Sequence, residues 1–241
     1  MFNSKKLIKM IVLAMMIAIG VVISPILRVE GMCPMAHFIN VVCAVLLGPW
    51  YALACATIIG IIRMVAMGIP PLALTGAIFG ALFSGVFYRI SKGNLLFAVL
   101  GEVVGTGIIG AIISYPIMSL LFNKEGLSWF FYVPSFVCGT FIGGTIAFAF
   151  LKKLSNSGKL TAFQEMLQSK SYEYKDSIIG NSVSISAIGV ILFFVINILS
   201  DMFSLQSQIL TYVAYVLLIC FIVIGIIYLV AKAMKGAKND A

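Results

Sequence analysis

Long runs of apolar residues, each close to the length that crosses a lipid bilayer, constrain this chain more than any other feature. A membrane-spanning helix needs about 20 mostly apolar residues, and such runs recur from near the first residue to near the last. Apolar residues make up 62% of the 241 residues and charged residues 10%, far from the roughly 25% charged residues of soluble domains. The sequence therefore predicts an all-α integral membrane protein, a bundle of spanning helices.

Eight runs are predicted to span the membrane, and the second is much the shortest. The predicted helices cover 7–27, 37–47, 50–67, 72–90, 94–122, 128–151, 178–199 and 208–231. A polar stretch at 152–177 follows the sixth run, and its spaced apolar residues fit either an interfacial helix on the membrane surface or a solvated cytoplasmic linker. We therefore expect a six-helix module at 1–151 and a two-helix C-terminal extension at 178–241.

The distribution of basic residues predicts the orientation of these helices. Cytoplasmic loops carry an excess of Lys and Arg, and threading the runs from an inside N-terminus puts most of the 16 basic residues on the inner side. Arg28 and Lys124 fall on the outer side, and Arg63 lies inside a run. We expect both termini in the cytoplasm and a cell-membrane location. The net charge of +8 is then a topology signal, and no nucleic-acid partner is needed to explain it.

Several familiar signatures are absent from the sequence. The first run has three lysines before or just after its start, as in a signal peptide, but no small-residue cleavage site follows it, so we interpret it as a retained helix. No Walker A, H-E-x-x-H or G-x-S-x-G pattern occurs. The five cysteines have no C-x-x-C spacing, so neither a zinc site nor a disulfide framework is indicated. We expect no ATPase or other enzyme activity, no metal and no cofactor.

Three titratable residues, His37, Arg63 and Glu102, lie inside or beside apolar runs. Such residues are costly in lipid and usually face a cavity or a partner, so they are candidates for a substrate site. Asn40 lies three residues after His37, and both project from one side of the same predicted helix. Two alternatives stay open. His37 is near enough to the membrane surface to contact water, and Arg63 and Glu102 have similar depths and could neutralise each other.

Aromatic and small residues supply weaker candidates. Tyr115 lies toward the outer face, where tyrosine usually belongs to an interfacial belt, although stacking on a heteroaromatic ligand is the alternative. Gly101 and Gly105 flank the acidic residue of the fifth run, and Ala14 and Ala18 lie one turn apart in the first. Small residues at this spacing let helices approach closely. Packing within the bundle explains most such pairs.

Five motifs of this sequence resemble the ThiW family. They occur in the family's order over about 7–151. The motifs are CPxxHxxN from Cys33, LGPWYA from Leu47, GIIR ending at Arg63, GEVVGTG from Gly101 and SYP from Ser114. ThiW proteins are substrate-specificity subunits, or S components, of energy-coupling factor (ECF) transporters, associated with the thiazole precursor of thiamine. The last two runs have no counterpart in that six-helix unit.

The resemblance implies an S component with a pocket near the outer face, beneath the connection between its first two helices. It would bind hydroxyethylthiazole and need a membrane-spanning coupling subunit and two cytoplasmic ATPases for uptake. Related S components dock on the coupling subunit through an alanine pair, which Ala14 and Ala18 match. An S component for another small vitamin is the nearest alternative. In a proton-coupled secondary transporter Glu102 would carry the coupled proton, and a membrane-embedded enzyme is disfavoured because no nucleophile with its base is apparent.

The resemblance also implies roles for individual residues of the pocket. His37 and Asn40 would hydrogen-bond the ring nitrogen or the hydroxyl of the thiazole. Arg63 and Glu102 would form a polar floor, and Tyr115 would stack on the ring. These five residues are the predicted substrate site.

Overall fold

The computed structural model describes residues 4–26, 28, 32–172, 178–202 and 208–239, and every regular element in them is a helix. In chain order the helices are α1 (Ser4–Ile23), α2 (Pro34–Leu47), α3 (Pro49–Met67), α4 (Leu72–Ile90), α5 (Leu95–Phe122), α6 (Val133–Asn156), α7 (Lys159–Met166), α8 (Ile178–Met202) and α9 (Gln208–Asn239). Within these residues, seven helices are long and apolar enough to cross a bilayer, namely all but α2 and α7. The prediction of an all-α membrane protein is confirmed.

Proline residues account for two differences between the predicted and observed helix boundaries. α6 begins at Val133 and not at 128, which places Pro134 in the first turn, where its missing N–H costs no helical hydrogen bond. α2 begins three residues earlier than predicted, with Pro34 as its first residue. The first turn of α2 therefore extends into the CPxxHxxN motif.

The chain divides into two compact units, 1–174 and 175–241. The second unit contains α8 and α9, which are joined by polar contacts. Asn181 donates to the hydroxyl of Tyr228 at 2.9 Å, and Ser182 donates to the carbonyl of Gly225 at 2.6 Å. Such contacts hold helices together in lipid, where burying an apolar face supplies little driving force. The candidate site lies in the first unit.

α2 is short and is enclosed by its neighbours. Eleven of its 14 residues are buried, and it packs among α1, α3, α4 and α6. Its length is about 21 Å, less than the roughly 30 Å of a bilayer core, so the shortest predicted span is too short to cross alone. His37 and Asn40 on this helix are therefore held in the interior of the protein.

The last carbonyl groups of α2 accept hydrogen bonds from a distant part of the chain. Gly48, with φ of 92°, turns the chain into α3, and Pro49 has no N–H to donate to the carbonyl of Val45. Gln164 of α7 supplies a donor, with its Nε2 2.9 Å from that oxygen. Ser169 donates to the next carbonyl along α2 at 2.6 Å. Because Gln164 is fully buried, part of the polar stretch after α6 belongs to the core of the first unit.

α4 and α5 approach closely where α5 carries glycines. A Cβ at Gly101 would lie 2.5 Å from the carbonyl oxygen of Phe83, and a Cβ at Gly105 would lie 2.5 Å from that of Phe79. The close approach expected of this glycine pair is therefore present. Between its α-helical ends, α5 forms a π-helical stretch, Val103–Gly110. Such stretches are rare and frequently occur at functional sites, and this one begins immediately after the acidic residue of α5.

Candidate substrate-binding site

A cavity of about 470 Å³ lies at one end of the first unit, beside the connection between α1 and α2. Helices α2 to α6 all contribute to its wall. The lining residues are Arg28, Met32, Cys33, Ala36, His37, Arg63, Ile69, Pro70, Leu72, Ala73, Gly76, Ala77, Thr106, Met118, Lys124 and Phe136. A volume of this size with largely apolar walls and a few polar groups is typical of a small-molecule site.

Glu102 is the centre of a buried hydrogen-bond cluster behind this wall. Its Oε1 lies 2.9 Å from Nδ1 of His37 and 3.1 Å from Nδ2 of Asn40. Oγ1 of Thr106 is also 2.9 Å from the same oxygen. Glu102 is completely buried, so these three groups replace the water that a carboxylate would otherwise bind. His37 and Thr106 also line the cavity, and through them the cluster reaches the cavity wall.

Gly80 of α4 leaves the space that the Glu102 carboxylate occupies. A Cβ at this position would lie 2.6 Å from Oε2 and would also overlap Thr106. Oε2 is buried and has no hydrogen-bond partner in the part of the chain that the structure describes. Thr106 has one hydroxyl hydrogen and two acceptors in reach, so it donates either to the carboxylate or to the carbonyl of Gly76. One carboxyl oxygen is therefore fully engaged and the other is not.

The contact with Glu102 determines which hydrogen bonds His37 can make with a ligand. An ionised carboxylate only accepts, so Nδ1 carries the proton in this contact, and in a neutral ring Nε2 is then an acceptor. The residue is 6% exposed and lines the cavity, so His37 is a buried residue of the cavity wall. His37 therefore presents an acceptor that suits a hydroxyl group better than a ring nitrogen.

Asn40 lies behind the cavity and not on its wall. Its Nδ2 donates to the carbonyl of Ala77 at 3.2 Å and to Glu102 at 3.1 Å. The structure thus brings Asn40 together with His37 and Glu102. Its position favours support of the carboxylate over direct contact with a ligand.

Arg63 lines the cavity but does not pair with Glu102. Its side chain is 3% exposed, and its Nη2 donates to the sulfur of Cys33 at 3.3 Å. Glu102 is hydrogen-bonded to His37 instead. The alternative in which Arg63 and Glu102 neutralise each other is therefore wrong, because similar depth does not bring two side chains to the same side of their helices.

Tyr115 lies apart from the cavity wall. Its ring centroid is 4.7 Å from that of Trp129, a residue that is largely exposed. Phe136 supplies the aromatic surface of the cavity instead. The position of Tyr115 is thus more typical of an interfacial residue than of a ligand wall.

Ala14 and Ala18 are both exposed on α1, whereas Leu13 and Gly20 on another face of the helix are buried. Packing within the bundle, the alternative for this pair, does not account for two exposed alanines. The pair leaves a strip of small side chains on the outer surface of α1.

Sequence reasoning missed several residues of the wall. Thr106 follows Glu102 by four residues, a spacing that places two residues on one side of a helix, and this signal could have found it. Cys33 was present in the first motif but had no role assigned. Phe136 lies in an apolar run with nothing to distinguish it from its neighbours.

Comparison with known proteins identifies one family. The family model described as thiamine-precursor transporter protein (ThiW) matches residues 10–157. This range includes the five helices that line the cavity and the alanine pair of α1, and it ends before α7 begins at Lys159. No curated protein and no solved structure shows a match.

Proposed function

The chain belongs to the ThiW family of thiamine-precursor transporters, and from this premise we propose that it is the substrate-binding S component of an ECF-type importer. In this proposal it captures hydroxyethylthiazole in the cavity for ATP-driven uptake. The position of His37 carries the proposal, since its ring lines the cavity while Nδ1 is held by Glu102. The cavity helices all lie in the matched region.

The walls of the cavity suit a small heteroaromatic ring. Ile69, Met118 and Phe136 supply apolar surface, and burial of the ring against them would provide most of the binding free energy. Nε2 of His37 would accept the hydrogen of the ligand's hydroxyl group. Glu102 and Asn40 would act through His37 by holding its ring in place.

Energy coupling would require partner subunits. The sequence has no Walker A motif, so two cytoplasmic ATPases and a membrane-spanning coupling subunit would complete the importer. The exposed strip of Ala14 and Ala18 would dock on the coupling subunit, because small side chains allow close helix approach in lipid. The docking strip and the cavity are formed by different helices.

The proposed orientation places both termini in the cytoplasm and the cavity toward the outer face. Lys124 lines the cavity, and Lys152 lies near the other end of α6. In a background without native cysteines, a membrane-impermeant thiol reagent should label Lys124→Cys but not Lys152→Cys in intact cells. Labelling of Lys152→Cys from outside would invert this arrangement.

A proton-coupled secondary transporter is the second candidate, and one observation favours it. Oε2 of Glu102 is buried without a partner in the described part of the chain, and a proton on this oxygen would neutralise a carboxyl group in a membrane-embedded site. In that case the chain alone would drive uptake.

Ligand binding, identification of the co-purifying ligand and uptake assays test these functions. Purified full-length protein should bind hydroxyethylthiazole in a calorimetric titration, and mass spectrometry of the ligand that co-purifies would reveal another small vitamin if that is the substrate. Uptake should require co-expression of the coupling subunit and ATPases. Uptake by the chain alone that a protonophore abolishes would establish the secondary transporter.

A further inference from the structure

The cavity carries more positive charge than a neutral thiazole requires. Arg28, Arg63 and Lys124 line it, and none of the described lining residues is acidic. Arg28 and Lys124 are exposed and Arg63 is buried, so the charges extend from the surface of the protein to the interior. The carboxylate of Glu102 lies behind the wall and is hydrogen-bonded to His37. The cavity therefore has a cationic side, and the proposed neutral ligand would supply no anion to its buried member, Arg63.

Arg63 is the buried member of these cations, and its donors are largely unused by the described residues. No carboxylate among the described residues lies within ion-pair distance of it, and its Nε is buried without any described partner. Its Nη2 contacts the sulfur of Cys33, which is a weak acceptor. A guanidinium remains charged and has five N–H donors, and burying such a group is costly unless an anion or strong acceptors satisfy it.

We propose that the cavity takes its thiazole as an anion, with a phosphate monoester or carboxylate substituent bound by Arg63. This inference rests on the proposed function, because it describes the same cavity and the same ring. The planar fork of a guanidinium matches the oxygens of both anions. Arg28 and Lys124 attract the anion at the exposed side of the cavity, and the apolar walls hold the ring. The neutral alcohol fills the same cavity and binds less tightly.

Calorimetric titration of the purified full-length protein with three probes tests this assignment. The probes are hydroxyethylthiazole, its phosphate ester, and the analogue with a carboxymethyl group in place of the hydroxyethyl group. At least one anion should bind about tenfold or more tightly than the alcohol, and comparison of the two anions identifies the preferred one. Added salt should weaken binding of the anions and leave that of the alcohol nearly constant.

Substitution of the arginine separates ligand recognition from folding. Arg63→Gln should weaken binding of the preferred anion by about tenfold to a hundredfold and change the affinity for the alcohol far less. Arg89→Gln is the matched control, because Arg89 lies at the end of α4 remote from the cavity. If Arg63→Gln does not fold, Arg28→Gln should give a smaller loss that is also specific for anions.

Three outcomes would overturn the inference. The first is an alcohol that binds at least as tightly as both anions, which would leave the proposed capture of a neutral thiazole intact. The second is an equal loss for all three probes in Arg63→Gln, or in Arg28→Gln if Arg63→Gln does not fold. The third is the absence of binding by every probe, which would remove the proposed function together with this inference.

Discussion

Removal of the buried carboxylate tests whether it positions the ligand-binding histidine. In Glu102→Leu, Asn40 and Thr106 each retain a second acceptor, a backbone carbonyl. His37 loses its only partner in the described chain. An unsatisfied buried donor costs about 1–3 kcal/mol, which corresponds to roughly fivefold to 150-fold in affinity if the ring turns away from the ligand. We expect a loss of this size for hydroxyethylthiazole in a calorimetric titration.

Glu102→Gln provides the matched comparison. Its carbonyl oxygen still accepts from His37, so the affinity for the thiazole should stay within a few-fold of that of the original protein. Its amide nitrogen takes the place of Oε2, which has no described partner, and two unsatisfied N–H donors should lower the melting temperature. Tyr115→Leu, outside the cavity wall, should leave the affinity unchanged. Normal binding by Glu102→Leu, or an equal loss in both variants of this residue, would refute the positioning role.

Three further predictions follow from packing. Gly80→Ala places a methyl group 2.6 Å from the buried carboxylate, and the overpacking should lower stability by about 1–3 kcal/mol and weaken thiazole binding; an unchanged melting temperature and affinity would contradict this. Ala14→Trp should impair co-purification with the coupling subunit but not ligand binding. The control Val65→Trp, at a lipid-accessible residue that is 83% exposed, should affect neither. Loss of ligand binding in Ala14→Trp would argue that Ala14 packs within the protein. Gln164→Leu should destabilise the protein in thermal melting by about 1–3 kcal/mol, and the exposed neighbour Glu165→Leu should not; equal melting temperatures would show that the contact is dispensable.

The membrane fold could be predicted from the sequence because a helix needs a minimum number of consecutive apolar residues to cross a bilayer. Each long run in the sequence became a helix, and the differences lie at helix ends, at α2 and in the polar stretch after α6, part of which is buried. Sequence shows that α2 is apolar and short but not that other helices surround it, since burial depends on their arrangement in space. The contact between Gln164 and α2 was not predictable for the same reason.

The candidate site was predictable residue by residue but not as an arrangement. Titratable side chains are costly to place in lipid, and this cost identified His37, Arg63 and Glu102 as candidates. Two of these three residues lie on the cavity wall. The pairing of His37 with Glu102 joins residues that are 65 apart in sequence. Helix rise gives the depth of a side chain, whereas a pair also requires both residues to face each other. The rotation of each helix about its own axis decides which side chains face each other. That rotation is set by packing, here by the glycines of α4 and α5.

The hydrogen bond from Gln164 to the end of α2 links the order in which the chain is synthesised to the order in which it folds. The two partners are 119 residues apart, and the neighbouring contact of Ser169 spans 123. Chains generally fold from the N-terminus as they are made, so the last carbonyls of α2 lack these donors until the ribosome has passed Ser169. A protein ending at 151 would retain every residue of the cavity wall and lose both donors. α7 is the last helix of the first unit to be made, and the end of α2 gains both donors only when α7 and the residues after it have packed against it.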